Sequence, residues 1–187
     1  IIRYQGYNWF NCIFIVNYAC KSKEIWKIPA PMFIRGISSE GSIGPVAGSN
    51  HISIFYKMPG IKIYSPMTVN EYKKVYKKFM KNNDVFYVSE NRSSYNQKNE
   101  FKNIIKQKLD LILMPISVTR IAADKAVSEL RNSGMKVGII HLVDLKPFNI
   151  KKKWIQAIKS TKHGVLMTDN DYKDGVLRIL AHKILLR

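Results

Sequence analysis

The chain has 187 residues, an apolar fraction of 46% and a formal net charge of +18, enough for one large domain or two small ones with a packed core. No apolar run in the sequence reaches the roughly 18 residues of a membrane span, and no membrane is expected among the partners. Two cysteines without a neighbouring histidine or a second cysteine pair exclude a thiolate metal site, and Cys12 and Cys20 read as buried thiols of a reducing cytosol.

Residues 10–23 carry Ile13, Phe14, Val16, Ala19 and Cys20 at near-helical spacing and predict a helix. Pro31 to Gly36 predicts a short buried strand. Next comes Gly41-Ser42-Ile43-Gly44-Pro45-Val46-Ala47-Gly48-Ser49-Asn50, where three glycines and a proline break both helix and strand. Such a loop lets backbone approach a ligand closely, yet this one holds no acid, base or nucleophile beyond its serines. A short helix is predicted over 50–57 and a strand over 60–66. Thr68 with Glu71 reads as a capping box for a helix over 69–82. Residues 84–88 predict a strand, and the polar stretch 89–106 predicts a linker with some helix near its end. Beyond it the alternation restarts. Strands are predicted over 109–115, 135–141 and 164–168, and helices over 118–132 (ended by Gly134), 151–160 and 173–186. Alternating strands and helices in both halves predict an α/β fold with mainly parallel sheets, divided near residue 100.

The lysines are spread along the whole chain, and their densest run is Lys151-Lys152-Lys153. That spread reads as a solvated surface rather than a polyanion site, and nucleic acid is not counted among the partners.

Several phrases, in order, resemble the beta subunit of thiamine-diphosphate-dependent 2-oxo acid dehydrogenases of the pyruvate and branched-chain type, within the transketolase-like superfamily. Tyr4-Gln5-Gly6-Tyr7-Asn8-Trp9 sits where that family has an aromatic strand end containing Asn. Val16-Asn17-Tyr18-Ala19-Cys20-Lys21 is similar to its "IN-x-A-A-K". Pro31-Met32-Phe33-Ile34-Arg35-Gly36 is similar to "P-I-V-F-R-G", and Met58 to Pro66 to "I-P-G-L-K-V-V-x-P". Val85 to Arg92 resembles the strand that ends in Glu, and Leu145-Lys146-Pro147 matches "L-K-P".

The resemblance implies a pyrimidine-binding domain (its C-terminal part) over 1–95, a linker over 96–106 and an incomplete transketolase C-terminal-like domain over 107–187. It implies a truncated chain of about half the family's length. It also implies a cofactor, thiamine diphosphate, shared with an alpha subunit that carries the Mg and the diphosphate. Acyl transfer would go to a lipoyl acyltransferase core, within a hetero-oligomer in the cytoplasm, the mitochondrial matrix or a plastid. The family uses a carboxylate on the cofactor's pyrimidine and an aromatic face against its ring. The carboxylate position would precede Ile1. Trp9 takes the stacking position and Gln5 the neighbouring one, as cofactor-binding residues.

The glycine-rich loop departs from the family. Its "G-P-x-H-S" has a histidine that acts as acid and base toward substrate and lipoyl group. Here the matched residue is Ala47, and a methyl group cannot carry a proton. His51, one helical turn on, is the candidate catalytic substitute. In "I-D-L-R-T-L-K-P" the Asp and Arg are replaced by His141 and Val143, and His141 is read as a strand-end residue with ordinary hydrogen bonds. These departures leave a second reading open: a degenerate transketolase-like subunit with a binding or assembly role, or a split transketolase C-terminal subunit.

Overall fold

The computed structural model describes residues 4–39 and 44–187; Gly41, Ser42 and Ile43 of the glycine-rich stretch lie outside the described residues. The N-terminal segment is a 3-10 helix, Gln5–Trp9, then a π-helical stretch, Ile13–Ala19, that tightens into α1, Cys20–Ile25. Bonds in the π stretch run i to i+5, so the buried face rotates away from the one that α-helical spacing predicts. Ile15, Val16, Ala19 and Cys20 are buried, whereas Ile13 and Phe14 point out.

β1 (Phe33–Ser38) alternates half-buried with buried residues. Two short helices follow, α2 (Pro45–Gly48) and α3 (Ile52–Tyr56), then β2 (Ile61–Tyr64), α4 (Val69–Phe79) and β3 (Val85–Asn91). β3 is buried along its whole length, as expected of a central strand covered on both faces. It runs three residues beyond the predicted end, and a 3-10 turn, Arg92–Asn96, continues it, capped by Asn91 Oδ1 accepting from the Ser93 N–H at 2.9 Å. The second half supplies β4 (Leu111–Pro115), α5 (Thr119–Asn132), β5 (Val137–Ile139), β6 (Asp144–Lys146), α6 (Lys152–Lys159), β7 (Val165–Thr168) and α7 (Val176–Leu185).

The strands form two sheets, ordered β1-β3-β2-β6 and β5-β4-β7. All pairings are parallel except β2 with β6, which is antiparallel. The α/β class with mainly parallel sheets is therefore as the alternation predicts. β6 was not foreseen: it comes from the C-terminal half and joins the edge of the N-terminal sheet. Lys146 fastens it, donating from Nζ to the carbonyls of Tyr56 (2.9 Å) and Met58.

The main core lies between the sheets. It joins Ile34, Ile63 and Tyr87 of the first to Ile112 and Met114 of the second, with Phe55 of α3 and Leu180 of α7. Smaller clusters lie under α4 (Val75 against Tyr64, Phe86 and Val88) and under α5 (Ala123 and Val127 against Leu113, Val137 and Ile139). Among the described residues no helix is long and apolar enough to cross a membrane, and Cys12 and Cys20 are free thiols.

The capping box forms differently from its prediction. Glu71 accepts from the Met67 N–H (2.9 Å), one residue earlier than Thr68. The Thr68 hydroxyl is not a cap acceptor and donates to Glu100 at 2.5 Å. The Glu71 carboxylate has a stronger partner: Arg120 of α5 forks onto both its oxygens at 2.8 and 2.5 Å.

Candidate functional site

The three site residues suggested by the sequence come together. Gln5 starts the 3-10 helix, which lies so close to β1 that a Cβ on Gly36 would stand 2.9 Å from both Asn8 Nδ2 and Tyr87 Oη. Only glycine fits there. Gln5 is fully buried and its amide is completely committed. Nε2 donates to the Gly36 carbonyl (3.2 Å) and Ser89 Oγ (2.7 Å). Oε1 accepts from the His51 backbone N–H (2.8 Å) and from Tyr87 Oη (3.1 Å). Gln5 thus positions His51; it has no amide atom left over for a ligand.

His51 immediately precedes α3, and only 6% of it is exposed. The edge of its ring meets Trp9 at 5.8 Å between centroids, with the planes 70° apart. Its other side stacks on Tyr172 at 6.0 Å and 27°, and Tyr172 Oη lies 2.9 Å from His51 Nδ1. Trp9 itself is 47% exposed, so part of the residue is open to solvent. Tyr172 was missed by the sequence reading, although an aromatic next to Asp169-Asn170-Asp171 at a strand end was a usable signal.

The electrostatics favour a neutral imidazole. Burial pushes the His51 pKa below its ordinary value, and the Asp171 charge partly opposes this. Asp171 is itself raised by burial, although it accepts from the Ser53 N–H (2.8 Å) and the Tyr172 N–H (2.7 Å). Asp169 is raised too, by burial first and then by the neighbouring Asp171. Asp169-Asn170-Asp171 is therefore packed onto α3 and the loop before it. Asn50 Nδ2 meets Asn170 Oδ1 at 3.4 Å. Three polar atoms here, Asn8 Oδ1, Asp169 Oδ2 and Asn170 Nδ2, are buried with no partner among the described residues.

Ala47 is buried in α2 at 5% exposure, and its carbonyl accepts from the Ser39 N–H at 3.1 Å. No group with a titratable proton stands at that position. Among the described residues no cluster of His, Cys, Asp and Glu could hold a metal ion.

A second polar group lies at the end of β3. Glu90 is fully buried, and Arg35 forks onto it through Nε and through Nη2, the latter at 2.9 Å. Tyr95 Oη donates to the same carboxylate at 2.9 Å.

Comparison with known proteins bears on this arrangement. No family model matches the chain. Over 160 residues it is 27% identical to the pyruvate dehydrogenase E1 component subunit beta of Gracilaria tenuistipitata var. liui, spanning 78% of this chain and 48% of that protein. It is 25% identical over 170 residues to the subunit of the same name from Mesostigma viride, spanning 83% and 51%. The chain resembles E1 beta, divergently and in part. It spans about half the length of these curated relatives. A solved split gene transketolase, described as an inactive beta4 tetramer, superposes with a TM-score of 0.74 over 98% of this chain and 61% of its own, at 15% identity. The fold is therefore transketolase-like.

Proposed function

We propose that the chain is the beta-type half of a thiamine-diphosphate-dependent 2-oxo acid dehydrogenase, working with an alpha-type subunit and passing an acyl group to a lipoyl carrier. The observation that carries this reading is the half-exposed Trp9 set against His51, which Gln5 and Tyr172 hold in place. A flat heteroaromatic ring fits the open part of Trp9, since stacking on an aromatic face is favourable. When bound, the cofactor supplies the electron sink for decarboxylation.

This chain's residues supply orientation and a proton. Trp9 offers the apolar platform, and Gln5 fixes the loop before α3. His51, neutral and anchored at Nδ1, exchanges a proton at Nε2 in place of the histidine replaced by Ala47. The diphosphate and Mg belong to the alpha-type partner in this reading. Residues 1–95 would form the pyrimidine-type unit and 107–187 the C-terminal-type unit, joined by 96–106.

The outward face of the N-terminal helix supports a partner. Phe14 stacks on Tyr18 at 6.3 Å, and Tyr18 lies 6.3 Å from Trp26. Phe10, Ile13 and Ile25 are also more than half exposed. Contiguous apolar surface of this kind marks an interaction face.

Co-expression with an alpha-type subunit tests the proposal. The two chains are expected to co-elute and to melt higher with thiamine diphosphate and Mg. Trp9→Ala is expected to weaken cofactor binding about tenfold, the scale of one lost stacking contact. Separate elution and an unchanged melt would end the reading.

Ala47 favours a second reading, a degenerate or split transketolase-like subunit without acyl transfer. Reduction of an artificial acceptor by the assembled protein with a 2-oxo acid decides between them. Turnover removes the degenerate form; ketol transfer between sugars instead would assign it to the transketolase branch.

A further inference from the structure

On the other side of the first sheet a groove of about 690 Å³ opens between α4 and the segment leading into α6. This size lies within the range of small-molecule sites. The groove shares no lining residue with the Trp9–His51–Tyr172 cluster. Its α4 wall carries Lys74, Lys77 and Lys78, Lys81 follows in the turn after α4, and Lys151 stands across from them. The spacing i, i+3, i+4 puts the three helix lysines on one face, within about 6 Å of helix, and Lys81 lines the same groove. Lysines that are scattered in the sequence are thus gathered in space.

Two carboxylates line the groove, and both are engaged: Glu71 by Arg120 and Asp144 by Lys78. Lys74, Lys77, Lys81 and Lys151 have no carboxylate partner among the described residues. The floor is apolar, with Val75, Leu142 and Trp154. Two N–H groups of lining residues are buried without a hydrogen-bond partner among the described residues and do not open into the groove. Trp154 is 8% exposed and its Nε1–H has no acceptor among the described residues. His141 is 6% exposed and Nδ1 accepts from Arg120 Nε at 3.4 Å, which leaves the proton on Nε2. That Nε2–H is also unpaired, with Asp124 Oδ1 too far at 3.7 Å. Unpaired cations above an apolar floor select one chemistry: closely spaced negative charge on an apolar body.

We infer that this groove binds an organic polyphosphate of the nucleoside di- or triphosphate class, its phosphates along the α4 lysines and its ring on the apolar floor. The binding is separate from the proposed decarboxylation, because the two sites share no residue.

Calorimetric titration of the full chain with ATP and with inorganic tripolyphosphate tests it. ATP is expected to bind more tightly than tripolyphosphate, and both to weaken as salt rises. Lys74→Glu/Lys77→Glu is expected to weaken ATP at least about tenfold, since it reverses charge at the phosphates. Lys125→Glu/Lys162→Glu makes the same change in net charge outside the groove and is expected to alter binding less than about twofold. All four lysines are exposed, so each variant is expected to melt like the parent; if the first does not, Lys74→Ala/Lys77→Ala replaces it. Equal weakening in both reversal variants would reduce the effect to bulk charge and overturn the site. Absence of ATP binding at low salt would overturn it as well. Displacement of ATP by hexaglutamate at equal concentration would transfer the groove to an acidic protein segment, against the proposal.

Discussion

Gln5 and His51 are 46 residues apart, and the Gln5 side-chain carbonyl accepts the His51 backbone N–H at 2.8 Å inside the protein. The same amide also meets Gly36, Ser89 and Tyr87, so one side chain ties the N-terminal segment, β1, β3 and the loop before α3 together. Gln5→Leu keeps the bulk and removes every one of these bonds, leaving buried partners unsatisfied. It is expected to cost roughly 2–4 kcal/mol of stability, read as a lower urea midpoint with an unchanged slope. An unchanged midpoint would mean that the hub is not held as described.

The His51 ring feels two opposed influences, burial lowering its pKa and Asp171 raising it. Asp171→Asn removes the second. The His51 imidazole is then expected to protonate at a still lower pH, followed by its ring proton resonance. An upward shift would contradict the assigned geometry.

His141 gives a pH dependence of stability. Burial first, then the nearby Arg120 charge, lowers it from 6.5 to about 3. The unfolded chain therefore binds this proton before the folded one does. The contribution is complete above pH 6.5 and is lost as pH falls toward 3, a change of roughly 1–4 kcal/mol. His141→Gln is expected to flatten that part of the curve in urea unfolding between pH 7 and 4.5. An identical slope in variant and parent would count against it.

Glu90 is fully buried against Arg35, whose own side chain is 36% exposed. Arg35→Met leaves the carboxylate with Tyr95 as its one side-chain partner among the described residues. The expected loss is about 2 kcal/mol, below the usual cost of breaking a buried pair because solvent already screens the arginine. Adding Glu90→Gln should recover part of it in a thermal melt.

The sequence made the parallel sheets readable because strand and helix periods differ and because Gly and Pro punctuate them. Local signals failed wherever the partner is distant. Glu71 was noticed for its spacing from Thr68, but its chief partner Arg120 lies 49 residues away and nothing nearby marks it. His141 passed for an ordinary strand-end residue, yet it is buried beneath Phe101, with ring centroids 4.8 Å apart. Phe101 itself sits in a polar stretch whose composition resembles solvent-facing chain. Ile13 and Phe14 were counted in one apolar set with Val16, Ala19 and Cys20 on an α-helical period, but the segment is π-helical and both are exposed. Trp9, His51 and Gln5 emerged from resemblance, whereas Tyr172 depended on the fold bringing the end of β7 against α3.

β6 gives the architecture a mechanical consequence. The flank of β2 is closed by three residues that the ribosome makes long after the first sheet's other strands. Until they arrive, Ile61–Tyr64 offers an open hydrogen-bonding ladder to any passing extended peptide. Loss of Asp144–Lys146 would reopen that ladder, so a chain ending before Asp144 should self-associate more readily than the full one.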